Sequence, residues 1–127
     1  MAVASTNTTL VRDTVSILAG DAATANTNDL AEVFTITPTK GVDKMIILVA
    51  VADTHGTVAC SLGAGAGYWP SKALAWNCVQ NVTSHMHVSD IARFLTAAGT
   101  ILLTLTPAAG KKLLTDHTAV VEVIELP

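Results

Sequence analysis

The sequence predicts an all-β fold: an antiparallel β-sandwich or jelly-roll-like barrel, with an extended N-terminal arm and at most one short helix. Three observations carry this. Apolar and polar residues alternate with a period of two in several short segments, the pattern of a half-buried strand. Gly or Pro punctuates the chain between these segments every 10–15 residues, too closely for helices to intervene as they do in βαβ units. Thr supplies 18 of the 127 residues, and β-branched side chains suit a pleated, half-buried surface. The length fits one domain with one real core.

Residues 1–29 are rich in Thr, Asn, Ala and Ser, with an apolar island at Leu10, Val11, Val15, Ile17 and Leu18. Val15 and Ile17 alternate with Thr14 and Ser16 as in a short strand, which Gly20-Asp21 breaks. This composition reads either as an extended N-terminal arm, the assignment adopted here, or as a first sandwich strand followed by a loop.

Residues 30–127 form the sandwich domain. The stretch Glu32 to Thr37 alternates strictly and stops at Pro38, with Lys40-Gly41 supplying a turn. Lys44 to Ala52 is a continuous aliphatic run, as expected of a strand covered on both faces. Thr57 to Leu62 alternates again, and the glycine run 63–67 ends it as a flexible loop. Trp76 to Val82 and Thr83 to Val88 follow with a weaker pattern. Ser89 to Leu95 is the one helical candidate, with Ser89 placed to cap it and Ile91, Phe94 and Leu95 on one face. Thr100 to Thr106 and Thr118 to Leu126 are the last strands, with Glu122 and Glu125 expected outward or at an edge.

Composition excludes several classes. Half of the residues are hydrophobic but only 13% are charged, against roughly a quarter in ordinary domains. A net charge of −3 without clustered Lys or Arg speaks against nucleic acid. The densest apolar run, Met45 to Ala52, is far short of the ~20 residues a spanning helix needs. The N-terminus lacks a basic region followed by an apolar one, so a cytoplasmic origin is expected, with Cys60 and Cys78 as free thiols. An apolar, charge-poor chain with no membrane segment has one other way to cover its surface, which is to bury it against protein.

No catalytic constellation emerges, and neither a cofactor nor a metal is expected. The GAGAG run matches no phosphate-binding signature. Ser61, Ser71, Ser84 and Ser89 lack a nucleophile elbow, and the carboxylates are scattered singly. His85 and His87 would share one face of a strand with Asp90 nearby, a set able to hold Zn or Fe, but Asp90 sits past a Ser and near the helix cap, where it has a sufficient structural reason to exist. His55 and His117 follow Asp53 and Asp116 in turns, where local hydrogen bonding explains them. Tyr68 and Trp69 stand side by side on a Gly/Pro-bounded loop, where they either fold back over the sandwich, anchor a protein contact or stack on a sugar.

The succession FTITPTKGVDKMIILVAVA (34–52), VACSLGAGAG (58–67), DIARFLTAAGTILLTLTPA (90–108) and AVVEVIELP (119–127) resembles the small head decoration, or cement, proteins of tailed bacteriophages. Phe94 and Gly99 match the Phe and Gly of an ARF…G.I.L stretch, and Leu126-Pro127 match the terminal pair. The similarity covers about residues 30–127, and neither the arm nor the Tyr68-Trp69 loop has a counterpart in it. The resemblance implies a structural virion protein, made in the host cytoplasm, that binds the major capsid protein on the capsid exterior and bridges capsomers, with a homotrimer by analogy. Leu10, Val11, Val15, Ile17, Leu18, Tyr68 and Trp69 are the candidate partner-binding residues. The alternatives are a tail- or fibre-associated β-module, a carbohydrate-binding module working through Tyr68, Trp69 and Trp76, and a small metal-dependent enzyme using His85 and His87.

Overall fold

The computed structural model describes residues 2–11, 19–51, 56–66, 73–79 and 82–127. Among the described residues ten strands are divided between two packed sheets: β1 (Ala2–Ala4), β2 (Asn7–Thr9), β3 (Gly20–Ala22), β4 (Glu32–Ile36), β5 (Met45–Ala50), β6 (Val58–Leu62), β7 (Leu74–Cys78), β8 (Thr83–Val88), β9 (Ile101–Thr106) and β10 (Val120–Glu125). The first sheet runs β1-β4-β9-β6-β7. The second runs β2-β10-β5-β8, with β3 also pairing β10. The fold is an all-β sandwich of two open sheets.

The sandwich is not purely antiparallel. All pairings among β4 to β10 are antiparallel, but β1 runs parallel to β4 and β2 parallel to β10, so both sheets are mixed. The N-terminal residues thus lie along the sandwich itself. β1 extends the edge of one sheet, the chain crosses at Ser5-Thr6, and β2 extends the other, with Ser5 N donating to Thr35 O at 2.9 Å and Leu10 N to Glu125 O at 3.0 Å. β3 continues the same edge of β10, where Val121 is registered with Asp21. Asp21 then accepts hydrogen bonds from the backbone and hydroxyl of Thr6, tying the first strands to the third.

Period-two alternation decides which side chains enter the core. Phe34 and Ile36 of β4, Ile101, Leu103 and Leu105 of β9, and Val58, Cys60 and Leu62 of β6 face Met45, Ile47 and Val49 of β5 and Val121 and Val123 of β10. Burying each such aliphatic side chain contributes about 1.5–3 kcal/mol. The aliphatic run of β5 is fully buried on one side only; Ile46, Leu48 and Ala50 are half-exposed on the other. A strand central in its sheet has neighbours on both edges but needs only one covered face, and the remaining aliphatics form part of the outer surface.

Two further elements differ from the sequence expectation, besides β5 with its single covered face. The helical candidate is a single 3-10 turn, Ile91–Arg93, capped by Asp90, whose carboxylate accepts from Ala92 N at 3.2 Å, and not by Ser89. The chain leaves that turn at Phe94 to pack Phe94 and Leu95 against the core, which stops propagation. The described part of the glycine run, residues 63–66, is a docked segment and not a flexible loop: Gly65 N donates to Arg93 O and Ala66 N to Leu95 O. A Cβ on Gly65 would collide with the Arg93 carbonyl and lie 3.0 Å from that of Leu95, so this close approach requires glycine.

Candidate interaction faces

The outer faces of the two sheets are the candidate site, and alternation builds them. On the first sheet, the register places Val33, Thr104, Ser61 and Ala75 in one row, Thr106, Ala59 and Asn77 in a second, and Thr35 beside Leu102 in a third. These side chains are half-buried or exposed, and none carries a charge. On the second sheet the corresponding rows are Ile124, Ile46 and His87; Glu122, Leu48 and His85; and Val120, Ala50 and Thr83. Glu122 is the single carboxylate among them.

The other described charged residues lie elsewhere. Lys40, Asp43, Lys44, Asp90 and Arg93 occupy the loops at one end of the sandwich, and Asp29, Lys111, Lys112 and Asp116 those at the other. Several are consumed by structure. Asp29, at φ 61°, accepts from Gly110 N at 2.6 Å, and Asp116 accepts from Lys112 N at 2.8 Å. Arg93 lies 4.0 Å from Asp90.

Among the described residues two carboxylates are fully buried. Glu32 accepts hydrogen bonds from the amides of Thr24 and Ala25 and from the Thr24 hydroxyl. Glu125 accepts from Thr39 N at 2.6 Å, Thr39 Oγ1 at 2.7 Å and Thr9 Oγ1 at 3.0 Å. Each side chain binds a loop to a strand, an acceptor-rich anchor for donors that would otherwise go unmet. Glu122 is half-exposed on the outer face as expected, whereas Glu125, expected outward or at an edge, points into the sandwich. Residues three apart on a strand have opposite parity, so the two cannot share a side.

Of the candidate partner-binding residues, Leu10 is half-buried beyond β2 and Val11 is 60% exposed. Val15, Ile17, Leu18, Tyr68 and Trp69 lie outside the described residues. Trp76, the third aromatic of the sugar-binding alternative, is half-buried against the core and donates its indole N–H to Ser84 Oγ at 3.1 Å. That bond ties β7 to β8 across one side of the sandwich, a structural use of the ring.

His85 and His87 are both exposed on the outer side of β8, as the period of two predicts. Asp90 is engaged in capping. Among the described residues no three His, Cys, Asp or Glu side chains gather into a metal-holding group. His117 is buried, with Nε2 accepting from Ala108 N at 3.2 Å, while His55 and Asp53 lie outside the described residues. Cys60 and Cys78 are buried free thiols on adjacent strands. The Cys60 thiol is pushed up from 9.0 to about 12, first by burial and then by the neighbouring Cys78, against a hydrogen bond from the Cys78 backbone. Cys78 Sγ is 3.2 Å from the carbonyls of both Val49 and Val82. Among the described residues no helix is long and apolar enough to cross a membrane.

The uncharged outer rows were legible in principle, since the same alternation that places Phe34 and Leu103 inside places Thr35 and Thr104 outside. Comparison with protein-family models finds no match, and neither the curated proteins nor the solved structures return a similar chain.

Proposed function

We propose that the protein is a structural decoration protein of a tailed-phage head, binding the major capsid protein on the outer lattice and bridging capsomers. The observation that carries this reading is the pair of sheet faces almost bare of charge, with the described charged side chains other than Glu122 and the β3 residue Asp21 kept to the loops and the interior. Charge is depleted at the centre of protein interfaces relative to the rest of a surface. A five-stranded face of small Thr, Ser, Ala and Val side chains is flat enough for another sheet or loop to approach. The resemblance of about residues 30–127 to phage cement proteins supplies the partner. A standard contact buries roughly 800 Å² on each side, and oligomerisation into the trimer that the resemblance suggests multiplies the effect by raising effective concentration.

The test is co-sedimentation of purified protein with decoration-free shells, together with shell melting. Particle-bound protein and a raised melting temperature are expected; no binding with melting unchanged refutes the reading. Thr104→Lys, in the central row of the first sheet, is expected to abolish docking while leaving the fold intact, because it inserts a charge that an interface would have to desolvate. Cryo-EM of decorated particles separates a capsid position from a tail or fibre one.

A further inference from the structure

We propose that His85 and His87 form a two-point chelate for a borderline divalent transition-metal ion, such as Ni²⁺, Cu²⁺ or Zn²⁺, on the open edge of the second sheet. This site is independent of the capsid reading. β8 alternates between exposed Thr83, His85 and His87 on the outer side and Ser84, Met86 and Val88 on the inner side. Residues two apart on a strand have Cα atoms about 6.7 Å apart and side chains projecting from the same face. Two imidazole nitrogens bound tetrahedrally at about 2.0–2.1 Å from one ion sit about 3.3 Å apart. Each ring therefore leans under about 2 Å toward the other, which exposed side chains achieve by choice of rotamer.

Among the described residues nothing nearby competes for the rings. Neither histidine has a hydrogen bond or an ion pair among the described residues. Their register partners on β5 are the aliphatic Leu48 and Ile46. Glu122 is registered with Leu48 from β10, on the far side of β5, so two strand spacings, about 9.6 Å, separate its backbone from that of His85. Asp90 is engaged at the 3-10 turn. β8 is an edge strand, and the remaining coordination positions open to water or to a donor brought by another molecule. Imidazole ligands select Zn, Cu and Ni over Mg and Ca, which prefer oxygen.

The experiment is isothermal titration of NiCl₂ into the full chain at neutral pH. One-to-one binding is expected, with no heat from MgCl₂. His85→Ala and His87→Ala are each expected to lose about a hundredfold in affinity and to match one another, because one remaining imidazole is not a chelate, and the double variant is expected to bind no better than either. His55→Ala is expected to bind like the unmodified chain. Sub-stoichiometric Cu²⁺ is expected to broaden backbone amide resonances of β8 and of residues 46–48 before others. Absence of Ni²⁺ binding, or a single His85 or His87 variant that keeps the full affinity, overturns the proposal.

Discussion

Glu32→Gln tests whether buried carboxylates hold this sandwich closed. Glu32 shares the inner face of β4 with Phe34 and Ile36, and its carboxylate receives Thr24 N at 2.9 Å, Ala25 N at 3.1 Å and the Thr24 hydroxyl. The donors belong to the segment joining β3 to β4, so one side chain fixes that crossing between the sheets. Gln keeps the volume but exchanges one acceptor oxygen for an NH₂ that must face an N–H or O–H. Hydrogen bonds to a charged acceptor contribute about 1.5–3 kcal/mol each. Two are lost or weakened, and water resolvates the exposed Thr24 but not the buried Ala25 amide, leaving a destabilisation of about 3 kcal/mol. At roughly 4 °C per kcal/mol for a chain of this size, the melting temperature falls by about 12 °C. Urea unfolding followed by circular dichroism measures the difference, with the m-value unchanged if only the native state is affected. A Gln variant within about 1 kcal/mol of the parent would refute the reasoning, because packing and not charge-assisted bonding would then anchor the segment.

The raised Cys60 thiol makes stability depend on alkaline pH. The unfolded thiol ionises near 9.0 and the native one near about 12, so its contribution is intact below pH 9 and is lost as pH rises between these values. The slope reaches at most about 1.4 kcal/mol per pH unit. Subtracting the pH profile of Cys60→Ala from that of the parent isolates it, and parallel profiles would remove the thiol from the account. Gly65→Ala is expected to cost about 2 kcal/mol by forcing the 63–66 segment off the Arg93 and Leu95 carbonyls, with faster hydrogen exchange at the Ala66 amide as the local readout.

The strands that bury a face were legible in the sequence, and so was the edge strand β8, whereas the three-residue edge strands were not. β4, β6, β9 and β10 announce themselves through alternation, and β5 through its aliphatic run. β1, β2 and β3 are three residues each, too short for any period to show. They exist because a preformed sheet edge offers them hydrogen bonds, a tertiary cause no local pattern contains. The buried glutamates are different, since the signal was present. Alternation through Glu32, Phe34 and Ile36 puts all three on one side, and Val121, Val123 and Glu125 share the opposite parity from Glu122. A carboxylate on the apolar side of a strand implies donors waiting for it, here Thr24 and Ala25, or Thr9 and Thr39, and only the folded chain reveals which.

The distribution of charge leads to a test of how docking works. If the contact were made by the loops, Lys40, Lys44, Lys111 and Lys112 would meet carboxylates, and added salt would screen them over a Debye length of about 10 Å at 0.1 M. If it is made by the outer faces, the buried groups are Thr, Ser, Ala and aliphatic side chains, to which salt is nearly indifferent. Steering is then weak, and association proceeds at the roughly 10⁵–10⁶ M⁻¹s⁻¹ of uncharged surfaces. Sulfate, excluded from protein surface, strengthens such burial. Binding to decoration-free shells measured across a NaCl series is therefore expected to stay flat, and to tighten in sodium sulfate. A steep loss with NaCl would assign the contact to the loops and leave the bare faces without a partner. On the first sheet small hydroxyl and methyl side chains reconcile the outer face with water in the free protein, yet they ask almost no desolvation of charge when covered.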